Sequence, residues 1–124
     1  MLKQLLELKH CREEGIRRSI RSLDLRKAEL TERRLELLER RRVLATEREA
    51  LFDPHTLLEP DAFQKLKHKL ARLYDEEKSI AAQFESVRNA IVECETTRDE
   101  KQISLHQNLR GQEKLSYLIE NSHD

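Results

Sequence analysis

The sequence predicts an all-α protein built as two long helices that form an antiparallel coiled-coil hairpin. Three observations predict it. Apolar residues recur every seven positions over some 50 residues. Both prolines fall in one mid-chain interruption, Pro54 and Pro60. Charged residues make up 39% of the chain and aromatics only 4%, a composition of long helices rather than of a compact globular core.

The first element spans about residues 2–52. Every seventh residue from position 2 reads Leu2, Lys9, Ile16, Leu23, Leu30, Leu37, Leu44, Leu51. Such a repeat keeps one stripe facing a partner helix and imposes a left-handed supercoil. The second column reads Leu6, Glu13, Ile20, Lys27, Arg34, Arg41, Arg48. It turns basic away from the N-terminus, where long Lys and Arg stems can cover a seam while their charges reach water.

The turn is placed at about residues 53–59. Pro54 cannot continue a helix, and the residue before each proline is pushed toward extended geometry. Pro60 fits the first position of a new helix, where its missing N–H is not needed. Asp61 then favours the positive end of the helix dipole. The second helix covers about residues 60–121. Its seam reads Phe63, Leu66, Leu70, Leu73, Glu77, Ile80, Phe84, Val87, Ile91, Cys94, and it weakens at Arg98, Lys101, Asn108 and Gln112 around Leu105. It recovers at Leu115 and Ile119, and Gly111 in the weak stretch costs about 1 kcal/mol relative to Ala. Each helix is about 75–90 Å long at 1.5 Å per residue, and the whole of 1–124 forms a single domain.

A turn centred on residues 55–56 implies a register. It sets Leu44 by Leu66, Leu37 by Leu73, Leu30 by Ile80 and Ile16 by Cys94. Two seam ion pairs follow, Glu13 with Arg98 and Glu77 with Arg34, and one conflict, Lys9 against Lys101. The end carrying the chain termini is therefore expected to be the looser one when the protein is alone.

Net charge is zero, which argues against nucleic acid as a partner. The halves differ: residues 1–52 hold 14 Lys+Arg against 10 Asp+Glu, and residues 53–124 hold 10 against 14. Opposite signs favour pairing of the two helices. Arg40-Arg41-Arg42 is flanked by Glu36, Glu39, Glu47 and Glu49, which weakens a nucleic-acid reading further. No apolar run reaches the ~20 residues of a membrane span, and the charged start does not read as a signal peptide. Cys11 and Cys94 suggest no disulfide framework, since the register sets them about 8 Å apart in helix rise, and a cytoplasmic setting is expected.

The five histidines are scattered and form no metal-binding pair at helical spacing. No phosphate loop, nucleophile arrangement or zinc motif is present, and a two-helix hairpin has no interior in which to build a pocket. Neither enzymatic activity nor a cofactor is expected. What stands out is the basic start, Lys3, Lys9, Arg12, Arg17, Arg18 and Arg21, against three acids in the first 21 residues. It reads either as a solvated helix face or as a patch for an acidic partner. Phe52, Leu57 and Leu58 read as a hydrophobic plug at the turn, as a docking knob, or as both.

Leu2-x-x-Leu5-Leu6-x-Leu8-Lys9-x-x-Arg12 resembles the opening of the central-stalk proteins of bacterial type III secretion systems, the YscO/EscO group and their flagellar relative FliJ. Length, two-helix layout and mid-chain proline turn resemble them too. Gly15 departs from the pattern, where a helix former such as Ala is more typical, and the long acidic tail of some members is absent. The resemblance implies a non-catalytic stalk at the cytoplasmic face of a bacterial secretion apparatus associated with virulence. Its terminal end would enter the pore of a hexameric secretion ATPase through Lys9, Arg12, Arg17, Arg18 and Arg21. Its tip would reach an export gate protein, with secretion chaperones as further partners. Two other readings compete: a coiled-coil scaffold that pairs with itself through Leu25, Leu35, Leu38, Leu58 and Leu109, and a chaperone-escort protein. A stalk is expected to be monomeric alone and not to insert in a membrane.

Overall fold

A computed structural model describes residues 1–52 and 60–122. The expected turn over 53–59 lies outside the described residues, and with it the tip candidates Leu57 and Leu58.

Two helices form: α1, Leu2–Ala50, and α2, Pro60–Asn121. The chain is an all-α antiparallel coiled-coil hairpin. Helix α1 closes on a tightened turn, with the Leu51 and Phe52 amides donating to the Arg48 and Glu49 carbonyls at 3.2 Å. Pro60 opens α2 with Asp61 in its first turn, as expected. At the far end the Asn121 side chain donates to the Tyr117 carbonyl at 2.8 Å and the Ser122 amide to that of Leu118 at 2.8 Å, which satisfies carbonyls the helix itself cannot. Neither Gly15 nor Gly111 has positive φ, so both are ordinary helical positions.

The chain divides into two compact units. A terminal unit joins Met1–Glu29 to Ile91–Asp124, and a central unit is Leu30–Ala90. In the central unit Leu37, Leu44, Leu73 and Ile80 form a buried cluster, with Leu51, Phe84 and Val87 packed on it. Leu44 is 0% exposed. Arg40 pairs with Glu76 at 2.8 Å, Arg48 with Glu77 at 3.0 Å, and Arg33 donates to Gln83 at 2.9 Å. In the terminal unit Ile20, Ile91, Cys94 and Leu105 are buried, together with Asn108 and Gln112. Arg98 pairs with Asp24 at 2.6 Å, and Lys27 with Glu95 at 3.2 Å.

The two seams are those the heptads predict. No member of the Leu2-to-Leu51 column is exposed. Along α2 the expected seam is buried or half-buried throughout except at Phe63, which is 54% exposed. In the second α1 column Arg34, Arg41 and Arg48 are exposed, and Arg34 lies over the Phe84 ring at 5.8 Å.

The register differs from the expected one. Lys27 meets Glu95 rather than Phe84, and Asp24 meets Arg98 rather than Val87. The offset is about three helical turns, or one and a half heptads. A half-integral offset exchanges the facing columns, so apolar residues still meet apolar residues. The cause lies in the helix lengths, 49 and 62 residues. A turn centred on residues 55–56 would leave Leu115 and Ile119 beyond the start of α1. Here Ile119 lines a common groove with Leu2, and the uncovered residues fall instead near the start of α2, around Phe63. The expected seam ion pairs therefore do not form. Glu13 bonds to Gln112 and Arg17, Arg98 to Asp24, Glu77 to Arg48, and Arg34 to no carboxylate among the described residues.

Zero-length carbodiimide cross-linking followed by mass spectrometry tests the register. A linked peptide pair joining Lys27 to Glu95 is expected, and links from Lys27 to residues near position 84 would restore the symmetric turn. Burial predicts a second outcome, read by chemical unfolding. Leu44→Ala costs about 2–5 kcal/mol through lost burial and a residual cavity, whereas Leu25→Ala, at a side chain 67% exposed, stays within about 0.5 kcal/mol of wild type.

Candidate partner-binding surface of the terminal unit

The basic residues singled out in the sequence do not share one face. Successive residues turn about 100° around a helix. From Lys9, Arg12 lies about 60° to one side, Arg17 about 80° to the other, and Arg21 and Arg18 about 120° and 180° round. The five cations thus cover about 240° of the helix circumference within about three and a half turns. Arg12, Arg17, Arg18 and Arg21 are exposed, while Lys9 is half-buried. Lys9 lies against Gly111: a Cβ there would stand 2.8 Å from Lys9 Nζ. The glycine thus leaves room for a long basic stem to cross the seam.

Among the described residues, Arg17 is the one of the five held by an ion pair. Its Nε donates to Glu13 Oε2 at 2.7 Å. Glu13 also accepts from Gln112 Nε2 through Oε1 at 2.9 Å, and Gln112 donates to Asn108 Oδ1 at 2.6 Å. The weak seam around Gln112 is therefore a connected polar layer. Hydrogen bonds from Gln112 and then Arg17, with the positive field of Arg17 and His10 behind them, hold the Glu13 carboxyl below its ordinary value of 4.5.

A second feature is visible only once the register is known. A shallow groove of about 640 Å³ runs between the helices, lined by Lys9, Arg12 and Lys101 with Gly15, Ser19 and Ser104. The sequence reading treated Lys9 and Lys101 as an unfavourable facing pair, and here both border this groove. Lys101, Ser104 and Asn108 were missed as site residues, because their position beside Arg12 depends on the offset register.

Elsewhere, Phe52 is 57% exposed at the end of α1. Among the described residues no group of three or more His, Cys, Asp or Glu side chains is placed to hold a metal ion. No described helix is long and apolar enough to cross a membrane. Cys11 is exposed and Cys94 buried, both as free thiols.

The Glu13 layer gives a pH dependence with a definite sign. A carboxyl whose folded pKa is depressed contributes stability in full above the unfolded value and loses it as pH falls through the folded one. Urea unfolding at a series of pH values below about 4.5 is expected to show this loss in wild type and a flatter profile in Glu13→Gln. Gln112→Leu removes the largest cause and is expected to move the Glu13 titration toward its ordinary value, as read by carboxyl-carbon NMR. An unmoved titration would mean that Arg17 alone sets it. In comparisons with known proteins, no family model, no curated protein and no solved structure matches this chain.

Proposed function

We propose that the protein is a non-catalytic central stalk of a type III protein secretion system. In this reading the terminal unit inserts into the pore of the hexameric secretion ATPase, promotes its assembly and activity, and links it to the export gate protein. One observation carries the reading beyond the resemblance. The cations Lys9, Arg12, Arg17, Arg18 and Arg21 are spread around α1 rather than gathered on a face. A flat partner meets one side of a helix, whereas a ring meets all sides at once. Acidic pore loops would find a cation on each exposed side of α1, with Arg17 the most fixed through its bond to Glu13.

A two-helix section is about 10 by 20 Å, so it cannot present six equivalent sides to six subunits. Different subunits would meet different contacts and favour different nucleotide states. The stalk would shift populations by differential binding and make or break no covalent bond. The central unit, with Phe52 and Phe63 exposed, would face the export gate. The setting would be the cytoplasmic face of the secretion apparatus. The scaffold alternative draws less support. Its outer leucines are divided, with Leu25 in the terminal unit, Leu35 and Leu38 in the central unit, and Leu109 half-buried. Leu58 lies outside the described residues.

The test mixes the protein with a type III secretion ATPase from the same source and measures hydrolysis rate and complex size together. Stimulated hydrolysis and a larger assembly are expected. Arg12→Glu, Arg18→Glu and Arg21→Glu, on three sides of α1, are each expected to lower the stimulation in part and together to abolish it. Sensitivity to one side only would indicate a flat contact and not a pore. No effect on either quantity removes the stalk reading.

A further inference from the structure

The terminal unit has two unlike sides. On one side its cross-helix ion pairs are closed, Asp24 with Arg98 and Lys27 with Glu95. On the other lies the groove bordered by Lys9, Arg12 and Lys101, and these three make no ion pair or side-chain hydrogen bond with any described residue. No Asp or Glu lines it. Three cations without a carboxylate beside them make this side locally positive, and an acidic surface would complement it.

The groove is also shaped for a helix. Gly15, Ser19 and Ser104 keep its walls low, and nothing lies within 4 Å of where a Cβ on Gly15 would stand. Small residues let a third backbone approach closely. Toward the chain termini the same stripes turn apolar. Leu5 precedes Arg12 and Ser19 at seven-residue spacing, Leu8 precedes Gly15, and Leu118 follows Ser104 and Gly111. Leu5, Leu8 and Leu118 are 43%, 47% and 49% exposed. Finally, Asn108 is only 8% exposed and lines the groove, and its carbonyl oxygen accepts from Gln112. Its NH2 donates to no described residue. Among the described residues no buried side-chain nitrogen or oxygen lacks a partner, so that amide keeps access to solvent.

We propose that this face docks an acidic amphipathic helix of another protein as the third helix of a bundle. Its leucine-type residues would seat on Leu5, Leu8 and Leu118, and its carboxylates would meet Lys9, Arg12, Lys101 and the Asn108 amide. A second copy of this chain does not fit, because the same face turned on itself would set the three cations against their own kind. The inference does not rest on the stalk reading, although Lys9 and Arg12 belong to both. Gly15→Leu separates them, since it fills the groove and leaves every cation in place.

The experiment titrates the full-length protein into a fluorescent synthetic helix of about 18 residues, long enough to cover the groove and the leucines. The probe carries Leu at three- and four-residue spacing, flanked by Glu. Its controls are a scrambled peptide and one with Lys for every Glu. Saturable binding of the acidic helix alone is expected. Lys9→Glu with Lys101→Glu is expected to weaken it at least about tenfold through charge repulsion. Gly15→Leu is expected to do the same by occlusion, while its melting temperature holds or rises because Leu is the better helix former. Asp24→Ala, on the opposite side, is expected to leave affinity unchanged. Absence of saturable binding, equal binding of the scrambled peptide, or an affinity indifferent to Gly15→Leu overturns the proposal. So does tighter binding of single-stranded DNA or phosphatidylserine vesicles abolished by the same substitutions, which would make the face a polyanion site.

Discussion

Two helices packed on each other share a single seam, and everything else in this protein depends on it. A globular core can cover a side chain from several directions. Here a residue either faces the other helix or faces water. That is why one column of α1 carries Leu or Ile at every heptad from Ile16 to Leu51, and why Leu44 is, among the described residues, the one fully buried large side chain. It is also why the remaining surface is so heavily charged: residues beyond the seam and its rim of cross-helix pairs face only solvent and the next turn of their own helix. The pair of Arg42 with Glu39 at 2.7 Å is of this kind, exposed and screened by water, and it adds little to stability.

A seam made only of leucine holds helices together without fixing how far one slides along the other. The terminal unit answers this with polarity. Glu13, Gln112 and Asn108 are satisfied together in one arrangement, and a slide of one turn would bury some of their groups against leucine or isoleucine. A buried polar residue at a seam position is a known means of choosing register at some cost in stability. The apparent weakness of residues 98–112 in the sequence is thus the segment that carries register information. The salt bridges of Asp24 with Arg98 and Lys27 with Glu95 act in the same direction from the rim.

Periodicity was enough to read both seams, because a seven-residue repeat depends only on neighbours along one helix. The helix ends were equally legible from Pro54 and Pro60. Register was not, because it depends on which helix overhangs. Symmetry about the prolines gives one answer, and covering Leu115 and Ile119 with the start of α1 gives another. Shifts by whole heptads keep the columns matched, while the actual offset of about one and a half heptads exchanges them. The same distinction divides the candidate site. The spread of Lys9, Arg12, Arg17, Arg18 and Arg21 around α1 follows from their numbers alone. The groove needed residues of α2, and nothing in the sequence brings Lys101 and Ser104 beside Arg12 until the offset is known.

The two cysteines stand in opposite environments within the same unit: Cys11 in water, Cys94 in the seam. A thiol reagent reaches the first at any time and the second only when the helices part. The ratio of their alkylation rates therefore measures how often the terminal unit opens, with Cys11 as an internal standard for reagent and pH. A ligand that closes over the groove would slow Cys94 by stabilising the paired helices, and one that prises them apart would hasten it. The chain thus carries a native clock for its own breathing, readable by mass without any added label.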